Sequence, residues 1–200
     1  MHRVFLVSAV LSMTILSTLP ARRATGDDKP TTQPSSNPAK YPMSITLTTP
    51  AFKPGERIPR DNTGYGEDKS PRLEWSAPPD GTKELAIVFD DPDVKRPGGF
   101  VHWVIYKIPP NTRSLPEALT RDEKPAEPAG AVQGRNDFRK IGYYGPLTPP
   151  GPPHHYTFRI FALDTVIDLP AGATKKQLME KIEGHVLAGG ELVGLFQKPE

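Results

Sequence analysis

Three short segments of this 200-residue sequence carry side chains suited to chemistry. The first is Asp90-Asp91-Pro92-Asp93, in which Pro92 fixes its own φ and holds Asp91 extended. Alone it reads as an Asp/Pro turn. The second is Gly98-Gly99-Phe100-Val101-His102-Trp103, an imidazole inside an apolar run. Its two leading glycines let backbone or ligand approach closely. Alone, such a histidine reads as a satisfied core residue. The third runs from Gly142 to Tyr156, a rigid Gly/Pro loop that delivers His154, His155 and Tyr156 into another apolar run. Rigid loops lose little entropy when a ligand binds. Taken together, the segments suit anion recognition. An Asp beside a His holds it nearer its charged form. Two imidazoles, a Tyr hydroxyl and loop N–H groups can receive a phosphate or carboxylate.

Other chemistries are poorly supplied. The chain has no Cys, which excludes disulfides, thiolate metal sites and Cys nucleophiles. It has no Gly-x-Ser-x-Gly elbow, and Ser70, Ser76 and Ser114 lie outside the three segments. Neighbouring residues of a strand point to opposite faces, so only one of His154 and His155 can join a common pocket. The expectation is therefore a binding protein with no catalytic residue, no metal and no cofactor. The alternative is a hydrolase in which Asp and His activate water.

The elements that must position these residues are strands. With 25 Pro, most of the chain cannot form a helical bundle. Ser44–Thr48 alternates polar and apolar, and Arg72–Trp75 reads as a short strand before a Pro-Pro-Asp-Gly turn. Glu84–Phe89, Phe100–Ile108 and Tyr156–Leu163 are nearly continuous apolar runs rich in β-branched and aromatic residues. One helix is expected, capped by Thr174 and running from Lys175 to Leu187, with Leu178, Ile182 and Val186 on one face. Glu191–Phe196 reads as a final strand. Residues 109–140 give no clear pattern. The prolines nearest the chemistry, Pro92, Pro97, Pro146, Pro149, Pro150, Pro152 and Pro153, are the expected places for a cis bond.

Residues 1–24 have a basic start, an apolar run and small residues after it, the pattern of a secretory signal peptide. Residues 25–42 are a Pro-rich linker without large apolar residues except Tyr41. The folded domain is expected over residues 43–197. Removing the signal takes away three Arg and no acidic residue, so the formal +2 becomes about −1 and steering toward nucleic acid is not expected. The mature chain is expected to be periplasmic or extracellular, without an integral membrane span.

The motifs DDPD at 90–93, GFVHW at 99–103 and GYYGPLTPPGPPHHYTF at 142–158 resemble the phosphatidylethanolamine-binding protein family, also called Raf kinase inhibitor-like. The likeness is to its short bacterial branch, and Ser70–Trp75 and Ala162-Leu163-Asp164 add to it. It implies a mostly β fold, with a large antiparallel sheet packed with a smaller sheet and one or two short helices. It also implies a pocket for phosphate-like groups lined by Asp91, Asp93, His102, Gly145, Pro146, His154 and Tyr156. Relatives act as inhibitors or adaptors, which implies a small phosphorylated or anionic ligand and a protein partner of kinase or peptidase type. Export argues against a cytosolic kinase. Three departures stand out: Val94-Lys95-Arg96-Pro97 follows the DPD, the loop carries extra Pro and a second His, and the C-terminal helix of the animal proteins has no match.

Overall fold

The computed structural model describes residues 40–199; the signal segment and residues 25–39 of the linker lie outside them. Eight strands form two antiparallel sheets. The strands are β1 Leu47–Thr48, β2 Leu73–Trp75, β3 Glu84–Asp91, β4 Phe100–Ile108, β5 Ser114–Leu115, β6 Val132–Gln133, β7 His154–Leu163 and β8 Val186–Phe196. The large sheet has the order β6-β4-β3-β7-β8 and the small one β1-β2-β5. The expected mostly β architecture with its two sheets is what forms.

The continuous apolar runs follow from burial on both faces of the large sheet. Leu85, Ile87 and Phe89 of β3 share one core with Leu47, Leu73 and Trp75 of the small sheet. Ala86 and Val88, one residue out of phase, share a second core with Leu178 and Ile182 of the helix α1, Lys175–Ile182. A strand covered on one side by a sheet and on the other by a helix has no polar face to alternate.

Helix α1 begins where the sequence places it. The Thr174 hydroxyl accepts from the Gln177 N–H and the Gln177 side chain accepts from the Thr174 N–H, a reciprocal cap. It ends at Ile182 rather than Leu187. Gly184 takes a left-handed φ of 81°, and Val186 then opens β8. The long final strand takes residues that the sequence's periodicity assigns to the helix. The first strand, by contrast, is shorter than expected.

The packed chain reaches back into the end of the linker. Tyr41 meets Phe161 edge-on, and the Pro42 carbonyl accepts from the Gly189 N–H. Among the described residues the cis peptide is Glu127–Pro128, so the expectation of a cis bond at the pocket prolines is not met. No helix among the described residues is long and apolar enough to cross a membrane.

Candidate functional site

Antiparallel pairing gathers the three segments at one end of the large sheet. Strand β3 ends at Asp91, opposite Phe100 at the start of β4, and Asp90 lies opposite Thr157 near the start of β7. The end of one strand therefore meets the beginnings of its two neighbours. Alternation along β3 then separates adjacent carboxylates. Asp90 turns to the α1 side and pairs with Lys175, whereas Asp91 turns to the other side and pairs with His154.

His102 owes its direction to a bulge. Phe89 pairs with Trp103 and Asp90 with Val101, so the register skips His102 at this end of β4. A bulge of this kind re-aims a side chain. The His102 ring lies 5.5 Å from Phe89, 5.2 Å from Phe100, 5.4 Å from Phe138 and 5.2 Å from Tyr156, centroid to centroid. Its Nδ1 donates to the Tyr144 carbonyl at 2.7 Å, which fixes the tautomer. Burial pushes its pKa below the ordinary value, and the Tyr144 and Gly145 carbonyls and the charges of Asp91 and Asp90 offset this only in part. His102 is thus a neutral imidazole whose Nε2 carries a lone pair. This differs from a charged donor at that position.

Asp91, with its side chain 3% exposed, is the organiser. One oxygen accepts from the Asp93 N–H at 2.9 Å; the other meets His154 Nδ1 at 2.7 Å. The His154 ring in turn stacks 6.5 Å from Tyr156. The Tyr156 hydroxyl is buried, which raises its pKa, and it shares a 2.8 Å hydrogen bond with the Thr148 hydroxyl. Gly98-Gly99 acts as expected at its second member. Gly99 has φ 68°, and a Cβ there would stand 2.5 Å from the Asp91 carbonyl oxygen.

Asp93 takes a different partner from Asp91. Its Oδ2 accepts from the His155 N–H at 2.7 Å and meets His155 Nδ1 at 2.8 Å. Burial pushes this carboxyl up, but the backbone and imidazole of His155 outweigh it and leave the pKa below the ordinary value. Each carboxylate of the DPD segment thus holds one of the adjacent histidines. Asp91, His102, His154 and Tyr156 converge, while Asp93 sits at the rim with His155.

Gly145 and Pro146 are tied to the loop around Gly64 and Asp68. The Gly145 N–H donates to Asp68 Oδ1 at 2.7 Å, so it is not free for an anion, and the Pro146 carbonyl accepts from the Gly64 N–H. A Cβ on Gly145 would lie 2.4 Å from the Asn62 carbonyl oxygen and 2.7 Å from Thr63 Cα, both backbone atoms. Gly145→Ala should therefore displace one of the two loops and lower stability by about 2 kcal/mol. An unchanged urea midpoint for that variant would contradict the close packing.

Sequence reasoning missed several supports. Asp68 holds Arg121, whose Nε donates to the Tyr143 carbonyl and whose guanidinium lies 3.9 Å from the Tyr144 ring centroid. These contacts set the carbonyl that orients His102. Asn136 reaches the His102 and Gly142 carbonyls from the opposite side. Asp68 and Arg121 carry no local signal, because loop partners far apart in sequence leave no periodicity. Thr148 lies inside the Gly142–Tyr156 segment and was within reach. Among the described residues, no three His, Asp or Glu side chains come together as a metal site requires.

Residues 48–197 match the profile of the family described as phosphatidylethanolamine-binding protein. A relative from Methanothermobacter thermautotrophicus, a UPF0098 protein, is 44% identical over 154 residues, covering 77% of this chain and 99% of its own. Escherichia coli YbcL, a solved member of the mammalian PEBP family, superposes with a TM-score of 0.72 at 32% identity, covering 78% of this chain and 99% of its own. LppC of Mycobacterium tuberculosis, named as a lipoprotein, is 35% identical over 170 residues, covering 84% of this chain and 80% of its own.

Proposed function

This chain belongs to the phosphatidylethanolamine-binding protein family, and on that premise we propose that it binds a small phosphate-like or carboxylate ligand in the Asp91–His102–His154–Tyr156 pocket without transforming it. The observation that carries the reading is the 2.7 Å contact of His154 Nδ1 with buried Asp91. It turns His154 Nε2 away from the carboxylate and leaves that nitrogen to meet an incoming anion. Aromatic walls on Phe89, Phe100 and Phe138 lower the local dielectric, which strengthens a charge-assisted contact.

Export belongs to the same reading. It rests on the signal-like residues 1–24 and on the lipoprotein relative. A protein partner would meet the apolar rim beside the pocket, where Leu147 is 50% exposed and Pro149 and Pro150 are exposed.

The test is thermal unfolding with inorganic phosphate and with phosphoethanolamine. A ligand about a hundredfold above its Kd stabilises by about 2.7 kcal/mol, so the melting temperature should rise with concentration. His154→Ala should lower that rise while the protein remains folded. A rise of the same size in His154→Ala would place the ligand elsewhere. Turnover of a phosphoester that is lost in His154→Ala would replace the binding role with a hydrolytic one.

A further inference from the structure

A second concavity, of about 550 Å³, opens beside the turn 136–140 and is lined by Arg96, Arg135, Asn136, Asp137, Arg139 and Thr174. Three guanidiniums border it against one carboxylate. That carboxylate is already engaged: Asp137 accepts from the Val101 N–H at 2.6 Å and pairs with Arg96. Asn136 is engaged too, with its amide turned inward to the His102 and Gly142 carbonyls. The Thr174 hydroxyl is committed to the α1 cap. What the notch offers to an incoming group is therefore almost wholly guanidinium.

The three arginines are placed rather than scattered. Arg96 is fixed from three sides: its Nε donates to the Gly99 carbonyl at 2.7 Å, one terminal nitrogen meets Asp137, and its carbon lies 4.9 Å from the Phe100 ring centroid. Arg135 is held by its backbone, which bridges to Ile141 and to Thr174. Arg139 closes the turn, where its N–H donates to the Asn136 carbonyl and the Asn136 N–H donates to the Lys140 carbonyl. The closing residue has φ 62°, a left-handed conformation in which glycine would sit unstrained. A long cation occupies it instead. Among the described residues, the Arg135 and Arg139 side chains have neither an ion pair nor a hydrogen-bond partner.

Unpaired guanidiniums lining one concavity repel one another, and their planar forks match pairs of oxygens on a phosphate group. We propose that this notch is a second binding site, for a phosphate group, distinct from the Asp/His pocket and adjoining it through the turn 136–140 and the start of β4 at Phe100. Phe138 of that turn faces His102, whereas Arg135 and Arg139 flank the turn and face the notch.

The test uses the full chain and its Arg135→Gln/Arg139→Gln double variant, with His154→Ala as the variant that spares the notch. Inorganic phosphate and pyrophosphate are titrated by calorimetry at low salt, and vesicles of phosphatidylcholine with phosphatidic acid by sedimentation. In His154→Ala a saturable phosphate or pyrophosphate site should persist. Adding the double substitution should weaken it at least about tenfold. The double substitution in the otherwise native chain should leave the pocket's response to His154 intact, so failure of one site is distinguishable from failure of the other. Arg135→Lys/Arg139→Lys should restore only part of the affinity, because Lys lacks the planar fork. Tight binding of the soluble anions assigns a free phosphate or phosphomonoester. Binding confined to phosphatidic acid vesicles, and lost in the double variant, assigns a lipid headgroup. Equal affinity of native and double variant for every probe, with both folded by circular dichroism, overturns the proposal.

Discussion

Asp90→Ala is expected to lower the free energy of unfolding by about 3 kcal/mol, read as a lower urea midpoint with an unchanged denaturant slope. The Asp90 side chain is 2% exposed and faces two cations, Arg159 at 2.6 Å and Lys175. Those cations are themselves mostly buried, at 26% and 22% exposed. Removing the carboxylate leaves both with less compensation in a site where water cannot fully replace it. Arg159 keeps Glu191 at 2.8 Å, and Lys175 keeps the Gly98 carbonyl at 2.9 Å, so the loss is not the full cost of two bare charges. Lys175 is also the first residue of α1, an unfavourable end for a cation against the helix dipole, and Asp90 is what reconciles it. The comparison is Lys176→Ala, which breaks an exposed pair with Glu180 whose side chains are 85% and 62% exposed. Such pairs contribute about 0.5 kcal/mol or less. An Asp90→Ala effect no larger than that of Lys176→Ala would show that the cluster does not hold the end of β3 to the helix.

The back-to-back carboxylates Asp90 and Asp91 show what sequence could and could not reveal. The runs that became β3, β4 and β7 were legible from their apolar content, whereas the gathering of their turn-proximal Asp and His residues was implied only by the family resemblance. Their faces were not legible, because both sides of the sheet are covered and no alternation survives. Nor was the bulge at His102, which depends on pairing with β3 and leaves no mark in the residues of β4. The opposite-face rule for His154 and His155 was sound, yet it did not show that the second carboxylate of the DPD segment awaits the second histidine. The end of α1 was misjudged because Val186 continues the helical spacing past Gly184. A left-handed glycine and an 11-residue partner strand for β7 override that spacing. Strands β5 and β6 have two residues each and are defined by their neighbours, so their segment carried no pattern of its own.

Anion affinity should strengthen as pH falls toward and below 6.5, by up to about tenfold per pH unit for each proton taken up with the anion. The reason lies in the fixed tautomers. His102 Nδ1 donates to the Tyr144 carbonyl, and His154 Nδ1 faces the Asp91 carboxylate. Each imidazole thereby leaves Nε2 as its uncommitted ring nitrogen, and on the neutral His102 that atom accepts rather than donates. An oxyanion offers only acceptors, so a good contact requires a proton to enter with it. The empty protein carries the opposite trend. Burial depresses the His102 pKa in the folded state, so between that value and about 6.5 the unfolded chain binds more protons, and folding stability falls as pH falls. The anion reverses this by raising the pKa of the ring it touches. The stabilisation gained from a saturating anion should therefore grow on acidification while the ligand-free protein weakens. Sulfate is the appropriate probe, because phosphate itself titrates near this range. In His102→Gln, whose side chain does not titrate, the slope should lose the proton contributed by residue 102, and the acid loss of ligand-free stability should shrink with it. Sulfate affinity that is flat from pH 5 to pH 8 in the native protein would mean that the anion is held without proton uptake. The neutral His102 would then be a wall of the pocket and not a donor.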